Sequence, residues 1–126
     1  ADTSVYTRAA QALPVPLEAG ETIEFGDQHW TLKKVAPGHE DGFYSLGKLY
    51  LSTRRKGLTM RWRGRQADIK EVFRDLDVPP WRRQALPLLI WQNEVVAVST
   101  DVISERFRDY PTNAVAADYY RLLTVK

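Results

Sequence analysis

One stretch of the chain repeats apolar residues at positions i, i+3, i+4 and i+7: Ile69, Val72, Phe73 and Leu76. This is the spacing of a helix with one apolar face. Asp68 lies near the positive N-terminal end of that helix, where a carboxylate is favourable. Lys70 and Arg74 are four residues apart and are expected on a common, more exposed side. The pattern predicts one amphipathic helix over residues of about 67–77, which the Val78-Pro79-Pro80 sequence must end.

Alternating or continuous apolar runs predict strands elsewhere. Residues 23–25 and 30–32 flank Gly26-Asp27, which is typical of a hairpin. Residues 48–53 and 58–62 alternate apolar with polar side chains, so each is predicted as a strand. In the second strand, Arg61 is expected on the face opposite the apolar residues. Residues 88–91 and 95–98 flank a polar turn and form the strongest hairpin signal. Because both arms are apolar on successive residues, we expect them to be buried on both faces.

The two ends of the chain are less regular. Residues 1–17 are predicted to be a linker or short helix that ends at Pro14-Val15-Pro16, followed by a domain over residues 18–126. A short strand or helix is expected around residues 116–123. Together these elements predict an α+β fold, a small mixed module of packed β-hairpins and sheets with one amphipathic helix.

Composition excludes several classes of function. The chain has 126 residues, 44% of them hydrophobic and 27% charged, which is ordinary for a globular protein. It has no cysteine, so disulfides, thiolate nucleophiles and zinc–thiolate sites are excluded. No apolar run approaches the roughly 20 residues of a membrane span. These features fit a cytoplasmic protein, and the start at Ala1-Asp2 favours a fragment of a longer one.

No catalytic or metal-binding group is expected. His29 and His39 are far apart in sequence, and neither has the neighbours of a metal site. Asp101, Glu105 and Asp109 could share one face of a helix, where three carboxylates are usually only a solvated surface.

The basic residues are concentrated in one region. Residues 54–83 contain ten basic and four acidic side chains, a net charge of +6, whereas the other 96 residues contain eight basic and twelve acidic ones. Such a distribution attracts a polyanion to one region and orients it there, although clustered cations can also serve only solubility.

The sequence of residues 69–83, with its Val78-Pro79-Pro80-Trp81-x-Arg83 core, is followed by Pro87-Leu88-Leu89 and the apolar residues 95–98. This pattern resembles the C-terminal domain of tRNA(Ile)-lysidine synthetase over residues 54–98. In that family, a Gly-Gly pair often stands where this chain has Lys56-Gly57, and a second Lys stands where it has Glu71, which leaves the path of the basic loop open.

The resemblance implies a compact α+β module that binds the acceptor stem of an isoleucine tRNA. The family's enzyme joins lysine to the wobble cytidine through an adenylated intermediate, and its Ser- and Gly-rich ATP loop belongs to an N-terminal catalytic domain. No such loop occurs in this chain. We therefore expect no catalytic residue and no cofactor here, with ATP and lysine used by the N-terminal domain. That domain is an expected partner, and a homodimer through the parent protein is possible.

The residues around the motif suggest separate roles. Pro79 and Pro80 fix the backbone, and Trp81 is expected to bury its ring and pin the turn to the core. The turn would aim Arg82 and Arg83 along the face that carries Lys70. Arg83 is either a phosphate contact or a structural fork onto backbone carbonyls or an acid such as Asp75.

A row of arginines is the main candidate for RNA binding. Arg61, Arg63 and Arg65 alternate along the predicted strand and its exit, so they are expected on one face, where they can meet successive phosphates. Trp62 points the other way and is expected in the core. The predicted turn at residues 54–56 adds looser contacts from three cations: Arg54, Arg55 and Lys56.

Two alternatives remain open. The chain could be a docking module that packs on other domains or a sister subunit through Tyr110, Tyr119 and Tyr120, or it could be a free-standing RNA-binding paralogue.

Overall fold

The computed structural model describes residues 7–9, 13–111 and 116–125, and of residues 7–9 only the backbone. Elements are numbered in chain order, and the strands form two sheets. The first sheet has the order β1 (Thr7–Ala9), β3 (Thr22–Phe25), β4 (Gln28–Lys34), β12 (Asp118–Val125), β5 (Gly42–Ser45). The second has the order β2 (Val15–Leu17), β6 (Leu49–Ser52), β9 (Leu88–Trp91), β10 (Glu94–Val98), β7 (Thr59–Trp62), β8 (Arg65–Asp68), with β11 (Val102–Ile103) paired to β10.

Three short helical segments complete the described part of the chain: α1 (Ile69–Asp75), α2 (Pro80–Arg83) and the 3₁₀ turn Glu105–Phe107. The predicted α+β class, with packed sheets and one substantial helix, is confirmed.

Two hydrophobic cores lie on opposite faces of the second sheet. The first core fills the space between the two sheets, where Ile23 and Phe43 of the first sheet meet Leu89 and Val96 of the second. The second core is covered by α1 and contains Leu88, Ile90 and Val95 together with Val72 and Phe73. The layers are therefore sheet, sheet and helix.

The β9–β10 hairpin contributes to both cores, which confirms that it is buried on both faces. Its register is interrupted between Val95 and Ala97, so Val96 is an extra residue in the ladder. A bulge of this kind shifts the alternation of side chains by one. As a result Val96 and Ala97 both face the first core, whereas Val95 and Val98 face the second.

The amphipathic helix is confirmed, with narrower bounds than predicted. Ile69, Val72 and Phe73 are at most 2% exposed. Asp68 caps the N-terminus, and its Oδ1 accepts a hydrogen bond from the Lys70 N–H at 2.8 Å. The helix does not reach back to residue 67, because residues 67 and 68 are paired with β7 in the sheet.

Several predictions for the chain ends are corrected or refined. The linker or helix predicted for residues 1–17 is wrong where the structure describes them: Thr7–Ala9 pairs with β3, and Val15–Leu17 pairs with β6. Residues 1–6 and 10–12 lie outside the described part. For residues 116–123, the strand alternative is correct for the part from Asp118 on, because β12 pairs with β4 on one side and β5 on the other. The helical face of Asp101, Glu105 and Asp109 does not form, since only the 3₁₀ turn occurs there.

Candidate nucleic-acid interface

The predicted row of arginines is broken by a hairpin. Arg63 and Gly64 form a two-residue turn between β7 and β8, with φ values of 51° and 81°. Turns of this kind fit the twist of paired strands and require positive φ. The chain therefore reverses after Trp62, and Arg61, Arg63 and Arg65 do not lie along one strand.

The faces of the hairpin separate these arginines further. Met60 is fully buried in the second core, and Arg61 alternates with it to the opposite face of the hairpin, where it is exposed. Arg65 is paired in register with Trp62, so both lie on the side that faces the core. Trp62 is half-buried at the edge of that core, not enclosed in it.

A carboxylate from a distant part of the chain holds the hairpin tip. Glu105 accepts hydrogen bonds from two successive backbone N–H groups, those of Arg63 at 2.8 Å and Gly64 at 2.9 Å. Positive φ is unfavourable for a residue such as Arg63, and these bonds help to offset that cost. Sequence analysis placed Glu105 on a solvated face. No local signal links it to a turn more than forty residues earlier.

Two of the hairpin arginines are bound to acids of α1. Arg65 Nη2 lies 2.7 Å from Glu71 Oε2, in a close ionic contact rather than an aligned hydrogen bond. Arg63 Nη1 lies 3.5 Å from Asp75 Oδ2, which also accepts a hydrogen bond from Trp62 Nε1 at 3.1 Å. Glu71 and Asp75 are four residues apart and form one row along the helix. The hairpin arginines thus offset the charge of this acidic row.

A basic row lies beside the acidic one. Lys70 and Arg74 each precede an acid of that row by one residue, which places them about 100° around the helix from it. Both side chains are exposed, and within the described residues neither makes an ion pair. The predicted common side for Lys70 and Arg74 is therefore consistent with the helix, and its cations are free to meet an external anion.

The short helix α2 follows α1 closely. The Val78 N–H donates to the Phe73 carbonyl at 3.0 Å, and Arg83 Nε donates to the Val78 carbonyl at 2.9 Å. For Arg83 the structure shows a single hydrogen bond to a backbone carbonyl, which is part of the structural role left open for it. Arg82 is exposed, and no ion pair to it is present among the described residues.

The prediction that Trp81 buries its ring is wrong. The residue is 81% exposed, and α2 has no buried residue. The second core is closed at this point by Leu76, Val78 and Leu86, which pack against it instead. Pro79 and Pro80 do shape the turn, since Pro79 is the N-cap and Pro80 the first residue of α2.

The remaining predicted cations lie in the loop between β6 and β7. Arg54 is half-buried, while Arg55 and Lys56 are exposed. Arg55 borders a surface depression with Tyr50 and Ile90, on the β6–β9 part of the second sheet. The two helices carry three exposed cations that form no ion pair among the described residues, and we call these side chains the α1–α2 basic surface: Lys70, Arg74 and Arg82.

The two histidines make ordinary structural contacts in the described part of the chain. His29 lies 3.7 Å from Glu24, and the backbone of His39 is bound to the Tyr119 hydroxyl. Across the described ranges, no three His, Cys, Asp or Glu side chains come together as a metal site would require. None of the described helices is long and apolar enough to cross a membrane.

Comparison with known proteins identifies the family. No curated protein matches the sequence. A solved structure described as "Crystal structure of TILS C-terminal domain" has the same fold, with a TM-score of 0.58 and 16% sequence identity over 98% of this chain and 95% of that one. The family model of the TilS substrate C-terminal domain matches residues 49–116, more than half of the chain, including β6 to β10 and both helices. The chain belongs to the TilS substrate C-terminal domain family.

Proposed function

We propose that this chain is the tRNA-recognition domain of a tRNA(Ile)-lysidine synthetase and that it binds the acceptor stem of an isoleucine tRNA. The reaction, the ATP-dependent conversion of the wobble cytidine to lysidine, belongs to a catalytic domain outside this chain. The described residues carry no grouping suited to that chemistry, and the basic surface they form is suited to holding a polyanion.

The observation that carries this proposal is that most acids of residues 54–83 have partners within the protein, whereas most cations of the same region have none among the described residues. Three of the four acids in residues 54–83 are engaged inside the protein: Asp68 caps α1, and Glu71 and Asp75 contact the hairpin arginines. Arg63, Arg65 and Arg83 are the cations with internal partners. Within the described structure, seven other cations of the region form no ion pair: Arg54, Arg55, Lys56, Arg61, Lys70, Arg74 and Arg82.

The free cations suit contacts with phosphates better than contacts with bases. The Cβ atoms of residues four apart on a helix are about 5–6 Å from each other, so Lys70 and Arg74 can reach neighbouring phosphates of one strand. Double-stranded RNA is bound mainly through its shape, phosphates and 2′-hydroxyls, because side chains cannot enter its narrow major groove. In this proposal Arg63, Arg65 and Arg83 act as scaffold, and Arg61 and the loop cations extend the field around the helices.

A salt titration tests the proposal. If four to six phosphates are neutralised, the logarithm of the association constant for isoleucine tRNA falls with the logarithm of salt concentration, with a slope of about −3 to −5. The titration is run by filter binding with the 126-residue chain, on whole tRNA and on an acceptor-stem minihelix. A flat slope, or binding that the minihelix does not reproduce, contradicts the proposal.

Variants that remove positive charges test whether the α1–α2 basic surface is the part of the protein that binds RNA. Replacement of Lys70, Arg74 and Arg82 together by Gln should weaken binding and flatten the slope by about 2 to 3, since each phosphate contact contributes roughly 0.7–0.9. A matched control replaces Lys33, Lys48 and Arg108 by Gln, because all three are exposed and lie outside residues 54–83. If the control weakens binding as much as the triple variant, binding follows overall charge and not this surface.

The docking alternative has lost part of its support. Tyr119 is only 6% exposed and holds the backbone of His39, and Tyr120 is half-buried. Of the three tyrosines that suggested a docking surface, only Tyr110 is mostly exposed, and its ring meets Tyr44 edge-on at 5.3 Å.

A further inference from the structure

Trp81 is the most exposed large apolar side chain of the described residues. Its exposed fraction is 81%. Among the described residues, the other two exposed large hydrophobic side chains are Tyr110, at 51%, and Leu13, at 38%. An indole in water forgoes the favourable burial that a side chain of this size usually obtains. The ring is therefore available to a partner outside the chain.

The backbone around Trp81 is held in place. Pro79 and Pro80 restrict φ on its N-terminal side. On the other side, Arg83 is bonded to the Val78 carbonyl, and the Ala85 N–H donates to the Arg82 carbonyl at 3.0 Å. The backbone that carries the ring is therefore held in place, and the ring is presented to solvent from a fixed point of the fold.

The exposed charge next to Trp81 in the sequence is basic. Arg82 follows it directly, and the preceding helix α1 carries the exposed cations Lys70 and Arg74. Protein-binding surfaces usually present a contiguous apolar patch of several hundred Å². Here a single exposed ring is followed directly by Arg82, which is exposed and forms no ion pair among the described residues. An aromatic ring beside a free cation is typical of sites that stack a nucleobase and hold the adjoining phosphate.

We propose that Trp81 stacks on an unpaired base next to the RNA duplex, while Arg82 contacts the phosphate of that nucleotide. This assignment rests on the proposed function and adds a contact that duplex binding alone does not require. It gives the domain a preference for a junction between double-stranded and single-stranded RNA over a continuous duplex.

The test compares two RNAs that differ only in an unpaired end. Binding of the 126-residue chain to a blunt RNA duplex and to the same duplex with a short 3′ extension is followed by fluorescence anisotropy. The wild-type chain should bind the extended RNA about fivefold or more tightly, the effect of one stacked base. Trp81→Leu should abolish that preference and leave the affinity for the blunt duplex within about twofold.

Three further variants make the result specific. Trp81→Phe keeps an aromatic face and should retain most of the preference. Tyr110→Leu removes the other large aromatic ring that is exposed among the described residues and should leave both affinities unchanged. Arg82→Gln should weaken binding of the extended RNA more than of the blunt duplex. Because Trp81 buries little surface, Trp81→Leu should keep the wild-type unfolding midpoint, which separates stacking from a loss of folding.

Each other outcome overturns the proposal in a distinguishable way. If both RNAs bind equally and with a steep salt slope, stacking is wrong while the proposed function stands. If neither RNA binds, both are wrong. If the chain self-associates without RNA and Trp81→Leu abolishes this, Trp81 is a protein contact.

Discussion

Arg83 donates a hydrogen bond from Nε to the carbonyl oxygen of Val78 at 2.9 Å and thereby ties α2 to the link that follows α1. Val78 is bonded in turn to Phe73, so this connection runs from α2 into the second core. Arg83, the arginine of the family motif, therefore stabilises the turn that carries Trp81 and Arg82.

We predict that Arg83→Ala lowers the free energy of unfolding by about 1–2 kcal/mol, because a half-buried carbonyl loses a charged donor. Urea unfolding followed by circular dichroism measures this. Arg83→Lys should not restore the loss, since an ammonium lacks the planar geometry of the guanidinium. Arg82→Ala is the matched control and should change stability by less than about 0.5 kcal/mol. Equal losses of unfolding free energy in the two alanine variants would contradict a stabilising role for the hydrogen bond from Arg83 to Val78.

The acidic row of α1 should restrain RNA binding. Glu71→Gln combined with Asp75→Asn releases Arg65 and Arg63, and the salt slope should steepen by up to about 1.5, as expected for two more phosphate contacts. Both ion pairs are largely exposed, so each should contribute no more than about 1 kcal/mol to stability.

The control for this pair adds the same charge elsewhere. Glu40→Gln with Asp109→Asn also removes two exposed acids, both outside residues 54–83. Filter binding across a salt series compares the two double variants. If they steepen the slope equally, the gain comes from net charge and not from the released arginines.

The Glu105 carboxylate should matter for the order of the hairpin tip. Glu105→Ala leaves the Arg63 and Gly64 N–H groups without their acceptor and should lower the free energy of unfolding by about 1–2 kcal/mol. Hydrogen exchange at these two amides should accelerate selectively. Asp109→Ala serves as the comparison, because that acid is also exposed and close in sequence. Unchanged hydrogen exchange at both amides in Glu105→Ala would show that the turn does not depend on the two hydrogen bonds to Glu105.

The decrease in folding stability at low pH should depend in part on Asp41. Arg121 donates two hydrogen bonds to its carboxylate, at 2.9 and 2.8 Å, and this lowers the pKa of Asp41 below its ordinary value of 3.8. A depressed carboxyl pKa stabilises the folded state above the unfolded-state pKa, and this contribution is lost as pH falls through the folded-state pKa.

Asp41→Asn should therefore be less stable than the wild type at neutral pH. The difference should shrink below about pH 4, where Asp41 of the unfolded chain begins to take up a proton. Thermal unfolding of both chains between pH 2 and 7 measures it. A difference that stays constant over that range would exclude the ion pair with Arg121 as its cause.

Periodic and local features were predictable from the sequence. The apolar spacing in residues 69–76 specified α1, and two apolar arms around a polar turn specified the β9–β10 hairpin, since burial on a face follows directly from the repeat. The family motif was likewise readable, because it is a contiguous run of residues. The common exposed side of Lys70 and Arg74 follows from the same helical spacing.

Contacts between distant segments were not predictable. The turn at Arg63-Gly64 broke a row of arginines that simple alternation predicted, because a residue–Gly pair that reverses the chain is also compatible with a continuing strand. Glu105, whose carboxylate accepts the hydrogen bonds of that turn, lies more than forty residues later in the sequence. Trp81 was expected inside because large apolar rings usually are, and only the packing of Leu76, Val78 and Leu86 excluded it from the core.

The sequence by itself thus determined the family, the main elements and the excess of positive charge in residues 54–83. Tertiary structure decided which of those charges are free. The pairing of Arg63 and Arg65 with α1, the bond from Arg83 to Val78 and the exposure of Trp81 all depend on how β8, α1 and α2 pack. Charge and spacing are properties of the chain, whereas the neutralisation of a charge requires a partner that folding brings within a few ångströms.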